Sequence, residues 1–390
     1  MEEKEQEQEP KKKLKLPLWL IRVVLILVAV LVIVITFILW RILATYDHFE
    51  VRSSRARTDS EQTQYMDFNG NLLAYSRDGI FYTDYEGNLI WNESYEMNQP
   101  KVEQCQNYLL VYDKNGTQLR ILSKMGSEGS ISTTLPISAA DVAANGTIAV
   151  LMQENAVAYL HIYDVDGNML ASGEVHMNKG GYPMDLAISS DATRMMVTML
   201  DLTTGVVQST INFYDFDAAG DGQTNNLMGT YTYGNMVIPE VDYVADDRAL
   251  AIGDGELIVF GSGDKPKPEA EIYLKEEIKS TFHDDRYIGV ITAAEGSGEE
   301  GEHALTVYNL RGKALFTKSF SEDYNNCYFM DKGESVITDG QVLSIYNRYG
   351  IRKFYSDFGE GIYQLIPWEG NRNYVLIRKD SIERIRITKE

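Results

Sequence analysis

Two patterns of apolar residues divide the chain. Near the N-terminus Val23 to Trp40 reads VVLILVAVLVIVITFILW, eighteen residues without a charge, and Leu18, Trp19 and Leu20 extend the run backward. A bilayer core of about 30 Å takes roughly 20 helical residues, so the pattern predicts one transmembrane helix over 17–44, with Trp19 and Trp40 at the interfaces. A core helix of this length would show a polar face. A cleaved signal peptide would carry a shorter apolar stretch ending in small residues, whereas Ile42-Leu43-Ala44 places a bulky residue there. Lys11, Lys12, Lys13, Lys15 and Arg22 precede the span and Arg41, Arg52 and Arg55 follow it. That bias predicts a cytoplasmic charged tail at 1–16 and an extracytoplasmic domain at 45–390.

Beyond residue 60 no 3.6-residue period persists. Short runs rich in Val, Ile, Tyr and Thr alternate with Gly, Asn and Asp turns, the pattern of an all-β region. One element recurs: two apolar or aromatic residues, an Asx, and a Gly three positions on. It appears at Tyr82-Thr83-Asp84 to Gly87, Ile162-Tyr163-Asp164 to Gly167, Val307-Tyr308-Asn309 to Gly312 and Ile345-Tyr346-Asn347 to Gly350. Weaker copies lie at Ile121-Leu122-Ser123, Phe213-Tyr214-Asp215 and Val259-Phe260-Gly261, so the units are spaced by 39, 41, 51, 46, 48 and 38 residues. A second turn precedes each copy, as in Ala144-Asn145-Gly146-Thr147, Ser190-Asp191-Ala192-Thr193 and Asp284-Asp285-Arg286. Asx and Gly accept the backbone of tight turns, so each unit reads as four antiparallel strands, A to D. A four-strand repeat of this length predicts a β-propeller, and the 330 residues from Glu61 onward hold eight blades at about 41 residues each, or seven if the weak second unit is misread.

The last unit runs out of chain. Its strands are Ile362 to Pro367, Asn373 to Arg378 and Ile382 to Thr388, with nothing left for strand D. An open edge of this kind invites aggregation, so His48 to Ser53, reading HFEVRS, is expected to pair with the C-terminal strand and close the ring close to the membrane.

Composition narrows the partners. Residues 1–44 hold seven Lys/Arg against five Asp/Glu, which leaves the rest of the chain at a net charge of -23. Such a surface disfavours phosphate backbones and anionic headgroups, so no nucleic-acid partner is expected. The two cysteines, Cys105 and Cys327, form no local metal or redox spacing and read as separate thiols.

TDYEGNLIW, with Asp84, Gly87 and Trp91, resembles the D-x-x-x-G-x-x-x-W blade motif of quinoprotein-like and outer-membrane-assembly propellers, with a turn one residue shorter. ISSDATRMMV at 188–197 is similar to the S-x-D-G turn of WD40-like and lactonase-like propellers. The whole arrangement, one anchor followed by an acidic propeller, resembles a domain-of-unknown-function family of membrane-anchored bacterial propellers. That resemblance implies an envelope location and no activity.

Chemistry is sparse. The chain has no H-E-x-x-H, G-x-S-x-G, phosphate-cradling glycine loop or C-x-x-C, and His48, His161, His176, His283 and His303 fall at unrelated places in the repeat. No catalytic, cofactor-binding or metal residue is assigned, and no cofactor. The Tyr214–Asn226 loop offers Asp215, Asp217 and Asp221 as calcium oxygens, but departs from the calcium-loop spacing and lacks a distal bidentate Glu; a solvated hairpin explains it equally well. Tyr163, Tyr214, Tyr308 and Tyr346 occupy equivalent repeat positions, which predicts packing between blades. The reading is therefore a binding or scaffold module in the cell membrane, engaging an envelope protein, peptide or polymer. The rival is a metal-dependent hydrolase or lactonase working in the central funnel.

Overall fold

The Asx and Gly turns reverse the chain where the repeat predicts. In the computed structural model, residues 18–389 are described, apart from 204, 217–225, 246–247, 262–265, 295–301, 331–332 and 360. The chain divides into two compact units, 1–45 and 46–390. The first contains α1 (Leu18–Ile42), the one described helix long and apolar enough to cross a membrane; within its Arg22–Ile42 stretch an 18-residue window has a mean hydropathy of 3.4 and buries none of its side chains.

The second unit starts with β1 (His48–Ala56). Blade 1 is β2 (Gln64–Phe68), β3 (Asn71–Ser76), β4 (Gly79–Thr83) and β5 (Leu89–Ser94). Blade 2 is β6 (Pro100–Cys105), β7 (Tyr108–Asp113), β8 (Gln118–Ser123) and β9 (Gly126–Ser132). Blade 3 is β10 (Ile137–Val142), β11 (Ile148–Glu154), β12 (Val157–Tyr163) and β13 (Met169–His176), followed by the one-turn helix α2 (Met177–Gly180). Blade 4 is β14 (Tyr182–Ile188), β15 (Arg194–Asp201), β16 (Gln208–Asp215) and β17 (Leu227–Gly234). Blade 5 is β18 (Glu240–Ala245), β19 (Arg248–Ile252), β20 (Glu256–Gly261) and β21 (Lys267–Tyr273). Blade 6 is β22 (Ile278–His283), β23 (Tyr287–Ala293), β24 (His303–Asn309) and β25 (Ala314–Phe320). Blade 7 is β26 (Asn326–Met330), β27 (Glu334–Thr338), β28 (Val342–Tyr346) and β29 (Arg352–Asp357). The chain ends with β30 (Ile362–Trp368), β31 (Asn373–Arg378) and β32 (Ser381–Thr388).

These strands form eight four-stranded antiparallel sheets, so the count is eight and not seven. The eighth is built from both ends of the chain in the order β1-β32-β31-β30. His48 pairs with Thr388 and Ala56 with Ser381, across one bulge between Val51 and Ser53. The missing strand is thus supplied as the sequence predicts, and the open edge is removed.

The core is divided into eight clusters, one at every blade-to-blade interface. This explains the sequence pattern: the middle strands are buried on both faces and read as apolar runs such as IAVLM in β11, whereas fourth strands such as β13 are mostly exposed. The repeated tyrosines pack as expected. Tyr163 joins the cluster between blades 2 and 3, Tyr214 that between 3 and 4, Tyr308 that between 5 and 6, and Tyr346 that between 6 and 7.

The recurring Asx-x-x-Gly is a turn with an internal logic. The carboxylate of Asp164 accepts bonds from the Asn168 backbone N–H at 2.8 Å and its side-chain amide at 2.9 Å, and Asp84 holds Asn88 in the same way. Gly312 and Gly350 sit at φ of +73° and +75°, and a Cβ there would come within 2.7 Å of Ala270 and 2.6 Å of Phe316. Each glycine therefore answers two demands at once, left-handed backbone and close approach to the preceding blade. Cys105 and Cys327 are not joined in a disulfide; they are half-buried on β6 and β26, in blades 2 and 7.

Candidate functional site

First strands of successive blades lie side by side, β6 beside β10, β10 beside β14, β14 beside β18, β22 beside β26 and β30 beside β2, and together the first strands surround the central channel. Five consecutive members, in blades 2 to 6, wall a cavity of about 440 Å³. That size falls within the range of small-ligand sites. Its wall carries five carboxylates, Glu103, Asp141, Asp185, Glu240 and Asp242, against Lys101, Lys114 and His283.

Three of the acids occupy one rung of the repeat. Glu103 pairs with Leu110, Asp141 with Ala149 and Asp242 with Leu250. Each second-strand partner follows the residue that faces the turn anchor, as Leu109 faces Leu122, Ile148 faces Tyr163 and Ala249 faces Phe260. In blades 1, 6 and 7 the same rung holds Met66, Phe282 and Tyr328. At this rung the ring is therefore acidic in blades 2, 3 and 5 and apolar or aromatic in blades 1, 6 and 7.

Most of the acids are committed to the next blade. Asp141 accepts the Val142 N–H at 2.7 Å and reaches across to the Ile188 N–H of β14 at 2.8 Å. Asp185 accepts the Val241 N–H of β18 at 3.1 Å. From blade 5, Glu240 lies 3.2 Å and Asp242 3.6 Å from the two ring nitrogens of His283 in blade 6. A first strand has one edge without a sheet partner, and these carboxylates supply acceptors to that edge.

Glu103 breaks the series. Among the described residues it makes no hydrogen bond or ion pair, although protein surrounds it on nearly every side and leaves it half-buried at the cavity. Burial, reinforced by the charges of Asp141, Asp242 and Asp185, holds its carboxyl well above the usual carboxylate range. Burial and the Asp242 charge likewise raise Asp141 against the pull of its two backbone N–H groups. Burial pushes Asp185 up to about 7. Burial also raises Asp242 and would lower His283, but the Glu240 hydrogen bond and the Asp242 charge carry the imidazole upward instead.

A contrasting buried cluster is complete. Lys353 Nζ donates to Glu334 Oε1 at 2.5 Å and to the Tyr374 hydroxyl at 2.7 Å, and that hydroxyl donates to Glu334 Oε2 at 2.9 Å. Its polar groups are answered within blades 7 and 8, which marks it as structural.

No site residue is assigned from the sequence alone, where His283 stands with the other histidines at unrelated places in the repeat. The available signal was a charged residue inside a first strand, as in KVEQC, SAADV, PMDLA and EVDYV, where the neighbouring strands are apolar. Of the candidate calcium loop, Asp215 closes β16, while Asp217 and Asp221 lie outside the described residues. Among the described residues no three His, Cys, Asp or Glu side chains are placed to hold a metal ion.

Eight four-stranded blades, closed by strands from both termini around a central channel, define an eight-bladed β-propeller preceded by one apolar helix. The chain belongs to the Family of unknown function (DUF5711), which it matches over residues 42–387. Comparison with curated proteins gives no match. Among solved structures it is similar to BamB from Moraxella catarrhalis at 14% identity, covering 87% of this chain and 100% of that one with a TM-score of 0.52. It is also similar to Sqt1 from Saccharomyces cerevisiae at 11% identity, covering 89% and 100% with a TM-score of 0.55. At these identities the likeness establishes the fold alone.

Proposed function

We propose that this protein is a single-pass membrane protein, with a cytoplasmic tail at 1–16, whose propeller stands outside the cytoplasm and binds an envelope protein or peptide through its central channel. The observation that carries the reading is the acidic cavity walled by five consecutive first strands. A propeller's innermost strands are the part of the fold best able to bring side chains from several blades to one place. Here most of the acids are already engaged, by backbone N–H groups of the next blade or by His283, so binding accounts for the site better than catalysis. In-cell photocrosslinking tests it. A photoreactive residue at Met184, exposed on the channel wall, is expected to capture one discrete envelope partner, and the same residue at Met125, exposed on blade 2 away from the cavity, is not. Equal capture from both positions, or none from Met184, would overturn the reading.

A further inference from the structure

The five carboxylates differ in what they have left to offer. Asp141 and Asp185 spend oxygens on the backbone of the next blade, and Glu240 and Asp242 face His283. Glu103 has no partner among the described residues, yet it projects into the same cavity. A carboxylate taken out of water without a counter-charge is costly, and the cost is removed by a proton or by a cation. The neighbouring acids make that cost larger in the empty site and the attraction for a cation stronger. The protein's own cations answer it only in part: Lys101, exposed two residues before Glu103 on the same strand, pulls on it through its charge but forms no ion pair with it, and Lys114 follows β7 on the cavity wall.

We propose that the channel cavity receives an alkylammonium group, with Glu103 as its counter-ion and the Asp141, Asp185 and Asp242 carboxylates supplying the surrounding negative field. The proposal rests on the binding reading above and names its ligand chemistry. Three observations favour an ammonium on a carbon stem over a bare metal ion. The cavity, at about 440 Å³, is large for a single ion. No three acid or histidine side chains among the described residues converge as ligands, whereas calcium takes about six to eight oxygens at about 2.4 Å. The wall also offers the exposed side chain of Met184, which can cover methylene groups. An ammonium asks only for a few acceptors and a negative field.

The site is linked to protons. Facing Glu103 are Lys101 on its own strand, Tyr112 on β7, Asp141 on β10, Asp185 on β14 and Asp242 on β18, with Glu240 and His283 behind them. Because the acids retain protons in the empty cavity, entry of a cation expels protons, and affinity falls as pH is lowered. The same ammonium chemistry is carried by a free diamine and by a lysine side chain of a peptide. Titration calorimetry on the full chain in a neutral detergent distinguishes them, using 1,5-diaminopentane, N-acetyl-lysine methylamide and calcium chloride as probes.

Saturable binding of either amine at pH 8 is expected, at least tenfold weaker at pH 6, with proton release read from buffers of different ionisation enthalpy. The probe that binds more tightly identifies the source. Glu103→Gln should weaken the amine at least tenfold with no loss of melting temperature, and Glu103→Asp should weaken it less. Exposed Glu86→Gln should leave it unchanged. Amine affinity unaffected by Glu103→Gln, no amine binding at either pH, or calcium bound in preference to both amines overturns the assignment. Any of these would leave a partner captured from Met184 standing, so the two readings fail separately.

Discussion

Asp185 illustrates how a single side chain couples the channel to pH. Its carboxylate accepts the Val241 N–H of the next blade, yet burial raises its pKa to about 7. An unfolded aspartate titrates near 3.9. Below about pH 4 both states are protonated; between about 4 and 7 the folded state keeps a proton that the unfolded state has lost, so stability falls as pH rises through that window. His283 acts in the same direction, since a raised imidazole pKa contributes stability that is present below its unfolded value and is lost as pH climbs through the folded one. Asp185→Asn keeps an oxygen for the Val241 N–H and cannot ionise. It should therefore stabilise the protein by about 1–3 kcal/mol at pH 8 and by little at pH 4, read from denaturant unfolding at the two pH values. Equal effects at both would show that the carboxylate is solvated as in water.

At the scale of the element, strand β32 bears the closure. It pairs on one side with β31 and on the other with β1, and its Ile385 and Ile387 are wholly buried in the cluster between blades 7 and 8. Deleting residues 383–390 strips most of both ladders and exposes the edges of β1 and β31. The expected result is a collapse of the cooperative thermal transition, or recovery of the protein only as aggregate. Ile385→Ala, which leaves the ladders in place, should cost about 2–5 kcal/mol through the cavity it opens. An unchanged melting temperature after the deletion would mean that the ring does not depend on its terminal strands. The strand was legible beforehand because the repeat counts to an incomplete last unit and one spare β segment follows the apolar helix.

Across the whole molecule, the net charge of -23 beyond residue 44 now has an address for part of it: five carboxylates wall one cavity in the channel. The propeller is expected to be cleaved by protease added to intact cells, because the cationic residues before α1 outnumber those close behind it. Full protection would reverse the orientation and with it the proposal of an envelope partner. What the sequence could supply was whatever repeats: turns whose Asx and Gly serve local geometry, tyrosines in equivalent packing positions, and the length of the unit.

The channel chemistry belongs to the other category. Glu103, Asp141, Asp185 and Asp242 are separated by 38 to 57 residues and share no motif. Their meeting follows from the packing of successive blades, which sets four first strands side by side, and from registers that place three of them on one rung. Local hydrogen bonding and apolar periodicity act between residues near in sequence, so the chain by itself determines the apolar helix and the blade, while the choice of eight blades over seven is settled by the sheets. Which of its many acids is left buried and unanswered is decided between blades, by neighbours that only the tertiary structure brings within reach.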